Sequence, residues 1–251
     1  MRDLRLSYPS YRATLSILGG LLAIEFVLLA IAPVSRSTWL LENLLTVALV
    51  AGLALSYRRF RFSRISYTLI VAFLALHEVG SHYTYSLVPY DAAWQRVFGW
   101  SLDEALGFER NHFDRAVHFA YGLLFAYPIR EVFLRIVDVR GFWGYFLPLD
   151  LTMSTSMTYE LIEWGAAVTF GGELGQSYLG TQGDVWDAHK DMALASLGAL
   201  VAMGITLAIN CGLGRDVAAE FAESLRVKHP EPLGEETIAR ELAMKERGAG
   251  R

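Results

Sequence analysis

Six stretches of mostly apolar residues divide this chain of 251 residues, and each is long enough to cross roughly 30 Å of hydrocarbon as a helix. They cover residues 14–33, 39–57, 66–89, 112–133, 142–170 and 186–210. Charged residues make up only 19% of the chain, whereas a soluble domain carries about 25%. The sequence predicts an all-α protein, with a polytopic six-helix transmembrane bundle over 1–213 and a short cytoplasmic helical tail over 214–251.

The connections between the stretches alternate in their content of Lys and Arg. The N-terminus, the connections around 58–64 and 130–140, and the tail are rich in Arg, whereas the other three connections are poor in both residues. Because cytoplasmic loops carry the positive excess, both termini are predicted in the cytoplasm. The net charge of −4 predicts no nucleic-acid partner, and the single cysteine says nothing about the redox compartment.

Ionisable side chains inside spans are costly and indicate function, and here they concentrate in the last four spans. Each of these spans holds a pair on one helix face, and the pairs are Glu78/His82, Asp114/His118, Glu160/Glu163 and Asp187/Asp191. At 1.5 Å rise per residue, all four pairs lie roughly 10 Å inside the outer boundary. The sequence therefore predicts one polar cavity near the external face.

Carboxylates and imidazoles without thiolates are a ligand set that suits Zn, Mn or Fe. The candidate ligands are His77, His82, Asp114, His118, Glu163, Asp187 and Asp191. The two histidines of the third span lie about 140° apart around the helix, so they cannot both reach one ion without distortion. For each candidate the alternative is an ordinary hydrogen-bonded packing residue, and Arg115 and Lys190 offer ion pairs that need no metal.

Four further segments predict local structure. The third connection, 90–111, mixes aromatic and acidic residues and predicts a short helix at headgroup level. Two glycine clusters over 171–183 indicate either a mobile lid or an ordinary external turn. Gly198 and Ala202 form a small-xxx-small pair that favours close helix packing. The tail predicts a short amphipathic helix, a break at 229–232 and a solvated helical end near Glu235.

The polar motifs resemble those of a known family. The run Gly180-Thr181-Gln182-Gly183-Asp184-Val185-Trp186-Asp187 with Asp191, the run Tyr159-Glu160-Leu161-Ile162-Glu163-Trp164, and the histidine segments of spans three and four are similar to the YjdF-like bacterial inner-membrane proteins. The entry to the last span more distantly resembles VanZ-like proteins. The resemblance covers roughly residues 14–210. It implies a six-span protein of the inner membrane and supplies no catalytic assignment.

The leading functional hypothesis is a metal-dependent enzyme, a hydrolase, at the external leaflet. A metal would lower the pKa of a bound water toward 7, and Glu78 or Glu160 would serve as general base. Arg115 or Lys190 would hold an anionic group. The depth of the pocket suggests membrane lipids as neighbours and a lipid-linked or periplasmic small molecule as substrate, and a redox di-iron centre is the variant.

Two other classes of function stay open at this point. A proton- or cation-coupled transporter or channel would use the same carboxylates and imidazoles, although inner halves such as 69–75 are almost wholly apolar. A non-catalytic binding protein or accessory subunit would use the cavity to hold a ligand or a partner. Metal analysis separates the first hypothesis from the other two.

Overall fold

The computed structural model describes residues 10–172, 175, 179, 181–228 and 234–249, and every regular element among them is helical. The helices are α1 (Tyr11–Leu29), α2 (Arg36–Ser56), α3 (Arg64–His82), α4 (Tyr90–Phe98), α5 (Leu102–Leu106), α6 (Phe113–Val132), α7 (Trp143–Phe170), α8 (Asp187–Gly212), α9 (Val217–Ser224) and α10 (Glu235–Ala249). The prediction of an all-α protein is confirmed. The first N-terminal arginines, part of the glycine-rich loop and the break at 229–232 lie outside the described residues.

Each of the six apolar stretches contains one long helix. Among the described residues, α1, α2 and α8 are long and apolar enough to cross a membrane by length and composition. The other three long helices, α3, α6 and α7, have 19, 20 and 28 residues. They carry most of the ionisable side chains of the predicted cavity, which lowers their apolar content.

The third stretch forms a shorter helix than its predicted range of 66–89. Helix α3 ends at His82 because Thr84 and Tyr85 both adopt positive φ angles, 56° and 55°. This bend folds the Tyr85 ring back over Gly80, where a Cβ atom would lie 2.6 Å from the ring. The glycine therefore makes room for a buried aromatic side chain against its own helix.

The third connection forms two short helices, α4 and α5, where one was predicted. Gly99 separates them with a φ of 80°, a left-handed conformation that glycine adopts without a steric penalty. Asp91 of α4 then accepts hydrogen bonds from the backbone N–H groups of Leu102 and Asp103, at 2.6 and 3.0 Å. These bonds hold the two short helices together.

The centre of the bundle is the contact between α6 and α8, the most extensive helix pair among the described residues. Glycines allow it: a Cβ at Gly198 would lie 2.1 Å from the Phe119 carbonyl oxygen, and one at Gly122 would lie 1.8 Å from the Ala195 carbonyl oxygen. Ala202 of α8 is buried nearby, in an apolar cluster with Ala126 of α6 and Ala199. The small residues bring the two backbones close enough for side chains on both helices to meet at one site.

Several charged side chains in this chain are buried, and many large apolar side chains are exposed. Glu78 and Asp191 are 0% and 2% exposed, whereas Leu55 and Val168 are 84% and 70% exposed. Charged side chains are almost never buried in soluble domains unless they are paired. A polar interior under an apolar surface is the arrangement that a hydrocarbon solvent favours.

The Arg-rich connections lie together at one end of the bundle. Glu131 of α6 accepts a hydrogen bond from the Ser63 backbone N–H at 2.9 Å, and Arg135 donates to the Arg61 carbonyl at 2.6 Å. Helix α9 docks at the same end, where the Trp143 indole donates to the Ser224 carbonyl at 3.0 Å. The Arg-poor connections occupy the opposite end.

Candidate metal centre

Three side chains from α6 and α8 form the candidate metal centre. Asp114 and His118 lie one turn apart on α6, and Asp191 faces them from α8, with one ligand atom of each within 4.8 Å of the others. His118 Nε2 lies 3.6 Å from Asp114 Oδ1. Zinc bonds of about 2.0–2.2 Å require these atoms to draw together slightly, which side-chain rotation permits. The three side chains provide one imidazole and two carboxylates as possible ligands.

Asp191 supplies an independent indication of a ligand. Its side chain is 2% exposed, and its Oδ1 atom has no hydrogen-bond partner among the described residues. A buried carboxylate oxygen without a partner is costly. A cation between α6 and α8 would provide the missing interaction.

Helix α7 completes one side of the centre. Glu160 Oε1 lies 3.5 Å from His118 Nε2. This distance is too long for a well-formed hydrogen bond, but it places the Glu160 carboxylate directly beside the centre. Glu163, one turn further, is buried and interacts electrostatically with Asp114 and Glu160. The predicted pairs from spans four and five therefore lie together.

Asp187 lies beside the centre, in a cluster of ion pairs with arginine side chains. Arg110 Nη2 donates to Asp187 Oδ1 at 2.5 Å, and Arg115 lies 3.5 Å from the same oxygen. Arg115 also pairs with Asp184, to which Lys190 donates at 2.6 Å. The two guanidinium groups therefore neutralise Asp187 without a metal ion.

Asp184 lies just before the start of α8 and pairs with basic side chains of α6 and α8. A hydrogen bond from Lys190, then the Trp186 backbone N–H and the Arg115 guanidinium, hold the pKa of Asp184 well below its ordinary value. The carboxylate is therefore ionised at neutral pH and keeps the entry to α8 tied to the start of α6. Arg115 and Lys190, predicted to bind an anionic group, each face this carboxylate.

Arg110 fastens the described part of the glycine-rich loop. Its Nη1 atom donates to the Thr181 carbonyl at 2.5 Å. Gln182 and Asn111 add a reciprocal pair of hydrogen bonds, with the Asn111 backbone N–H donating to the Gln182 side chain at 3.1 Å and Gln182 donating to the Asn111 carbonyl at 3.0 Å. The residues 181–187 are thus bound across the start of α6, above the centre.

We expect Arg110→Gln to loosen this segment. Loss of a charged hydrogen bond costs about 1.5–3 kcal/mol, which corresponds to amide hydrogen exchange about tenfold faster or more over 181–187. Arg96→Gln is the matched control, since Arg96 is exposed on α4. Equal exchange in the two variants, measured by mass spectrometry, would show that Arg110 does not anchor the loop.

The histidines of α3 lie apart from the centre. Both ring nitrogens of His77 are engaged: Nδ1 forms a short hydrogen bond with the Tyr85 hydroxyl, and Nε2 lies 3.3 Å from the Glu42 carbonyl oxygen. The Nδ1 atom of His82 lies 2.7 Å from the Leu29 carbonyl oxygen. The bend at 84–85, α2 and the end of α1 supply these partners, and none of them was visible in the spacing of α3.

Glu78, the other residue of the α3 pair, also lies elsewhere. It is fully buried and faces α2, beside Thr46. The rotation of α3 therefore directs its polar face toward α1 and α2, whereas the polar faces of α6, α7 and α8 meet each other. Of the two carboxylates predicted as a general base, only Glu160 lies at the candidate metal centre.

A cavity of about 370 Å³ adjoins the centre between α2, α3, α6 and α7. Asp114, His118, His77 and Tyr85 line its polar part, and the remaining walls are mostly apolar. Glu42 of α2, which was not among the predicted site residues, accepts a hydrogen bond from the Tyr159 hydroxyl at 3.2 Å. Its signal in the sequence was a carboxylate within a mostly apolar span.

Comparison with known proteins identifies the chain as a membrane protein, as its exposed apolar surface also indicates. A family model described as "Predicted membrane protein (DUF2238)" matches residues 14–211. The chain belongs to this family. "Inner membrane protein YjdF" of Escherichia coli (strain K12) is 35% identical over 191 residues, which cover 76% of this chain and 87% of the relative. The resemblance to YjdF-like inner-membrane proteins is confirmed, and no solved structure matches the chain.

Proposed function

We propose that this chain is a six-span inner-membrane hydrolase that uses a divalent metal ion near its external face. The observation that carries the proposal is the convergence of Asp114, His118 and Asp191, with a partnerless oxygen on the buried Asp191. An adjoining cavity gives a substrate access to that point. Zn, Mn and Fe are the ions that this ligand set suits.

The orientation in the membrane follows from the two ends of the bundle. The Arg-rich connections and α9 lie at one end, and the positive-inside rule assigns that end to the cytoplasm. The centre lies near the start of α6 and of α8, toward the opposite end. Helices α3, α6 and α7 then cross the membrane with their polar faces turned inward, and both termini are cytoplasmic.

Cysteine labelling tests this topology. After Cys211→Ser removes the native thiol, Gln95→Cys is expected to react with a membrane-impermeant maleimide in intact spheroplasts. Asp138→Cys, exposed at the Arg-rich end, is expected to react only after permeabilisation. The reverse pattern would place the metal centre on the cytoplasmic side and contradict the proposed orientation.

The residues of the centre have distinct roles in the proposed reaction. A bound metal ion would lower the pKa of a water molecule that it binds, so that this water could lose a proton to a neighbouring base near neutral pH. Asp114, His118 and Asp191 would hold the ion, and Glu160, 3.5 Å from His118, would accept a proton from the attacking water. Arg110, Arg115 and Lys190 would keep 181–187 in place over the centre.

Hydrolysis of chromogenic substrates tests the proposed activity. Purified protein loaded with Zn²⁺ or Mn²⁺ is expected to hydrolyse members of a panel of p-nitrophenyl esters and phosphoesters. Glu160→Gln should lower kcat about 100-fold or more, the range for loss of a general base, with metal content unchanged. Asp150→Asn, exposed at the other half of α7, is the control. Turnover that survives EDTA, or equal rates in both variants, would contradict the proposal.

A further inference from the structure

The cavity beside the metal centre opens sideways, toward the surface that faces lipid. Two of its lining residues, Leu45 of α2 and Ile162 of α7, are 41% and 45% exposed, and Ala48 and Thr155 are exposed as well. Its inner wall includes Leu74, which is 2% exposed. At membrane depth, exposed apolar side chains contact hydrocarbon, so this opening is continuous with the space that lipid chains occupy.

The cavity has an apolar part and a polar end, like the two parts of an amphiphilic molecule. Apolar side chains such as Leu49, Phe73 and Phe125 line the apolar part, and Asp114 and His118 lie at the polar end. The volume of about 370 Å³ is near the lower limit of small-molecule pockets, roughly 300–1,000 Å³. This size suits one hydrocarbon chain better than two.

The charges next to the polar end favour an anionic head group. Arg110 and Arg115 form ion pairs with Asp187 and Asp184, and Lys190 pairs with Asp184. Both arginines also interact electrostatically with Asp114, which places two guanidinium groups beside the metal centre. Guanidinium groups and divalent ions are the common protein partners of phosphate oxygens.

We propose that the cavity binds a single-chain, phosphate-bearing lipid from the bilayer. Its hydrocarbon chain enters between α2 and α7, and its phosphate lies against the ion held by Asp114, His118 and Asp191. The phosphate half of this inference rests on the proposed metal site, whereas the chain half rests on the cavity alone. The substrate class of the proposed hydrolase is then a lysophospholipid or a similar single-chain phospholipid.

Native mass spectrometry of the delipidated, zinc-loaded protein tests the inference with 1-palmitoyl lysophosphatidylethanolamine as the probe. Wild-type protein is expected to bind one molecule saturably. Ala48→Trp, in the cavity wall, should weaken binding about tenfold or more by steric exclusion. Ala51→Trp, exposed on α2 outside the cavity lining, should bind like wild type. Monopalmitoylglycerol, which lacks the phosphate, should bind about tenfold more weakly than the probe. The diacyl phosphatidylethanolamine, which has two chains, should not compete with the probe for the cavity.

The zinc content of the same samples separates this inference from the proposed function. Bound zinc with no saturable lipid binding, or with equal binding in the two tryptophan variants, would overturn the inference and leave the metal site standing. If the protein held no zinc and bound the lysophospholipid and monopalmitoylglycerol equally well, the phosphate half of the inference would be overturned together with the metal site. Preferred binding of the diacyl lipid would overturn the single-chain assignment.

Discussion

Asp191→Asn is expected to remove the divalent ion from the purified protein. Wild-type protein, purified without chelators, should carry about one ion per chain. The carboxylate of Asp191 is 2% exposed with an unbonded oxygen, so its replacement by a neutral amide removes a charge that the ion neutralises. We expect metal affinity to fall about 100-fold or more, and His118→Ala to have a similar effect. Inductively coupled plasma mass spectrometry measures both.

The chain offers matched controls for this experiment. His189 is exposed on α8, two residues before Asp191, and His189→Ala should leave the metal content unchanged. His82→Ala should also retain the ion, because His82 bonds to the Leu29 carbonyl away from the centre. Equal metal content in His118→Ala and His189→Ala would contradict the assigned ligands.

Gly198→Ala is expected to destabilise the bundle, although alanine is the better helix former. The added Cβ would lie 2.1 Å from the Phe119 carbonyl oxygen and 2.7 Å from the Leu123 backbone nitrogen. Backbone atoms cannot rotate away as a side chain can, so α6 and α8 must separate. We expect a loss of about 2–3 kcal/mol, measured by unfolding in detergent, and a weaker metal site, since its ligands come from both helices.

Gly204→Ala, on the same helix, is expected to stabilise the protein instead. No atom lies within 4 Å of a Cβ at Gly204, so only the helix propensity changes, by about 0.5–1 kcal/mol in favour of alanine. The pair therefore separates packing from propensity. If Gly198→Ala and Gly204→Ala had the same stability, the close approach of α6 and α8 would be refuted.

The sequence was most informative about the helices. Six apolar stretches each predicted a long helix, and each contains one, because helix length and apolar content follow directly from the local chain. The bend after His82 was missed, since nothing before Pro89 marks Thr84 and Tyr85 as residues with positive φ. The break at Gly99 was also missed, although a left-handed glycine is a common local end of a helix.

Prediction of the site depended on how each helix is rotated. Spacing placed Asp114 with His118 and Glu160 with Glu163 on common faces, and these residues do meet. Spacing alone cannot reveal which neighbour a face meets, so Glu78 and His82 were assigned to the same cavity although α3 turns them toward α2 and α1. Arg110 was missed as a functional residue because its partners are up to 77 positions away in the chain.

An anomalous difference map from crystals grown with Zn²⁺ shows whether an ion binds between α6 and α8. We expect one strong peak there, about 2.0–2.2 Å from His118 Nε2 and from carboxylate oxygens of Asp114 and Asp191. A map with no peak between these helices, or with its strongest peak at a surface histidine such as His189, would contradict the proposed metal centre.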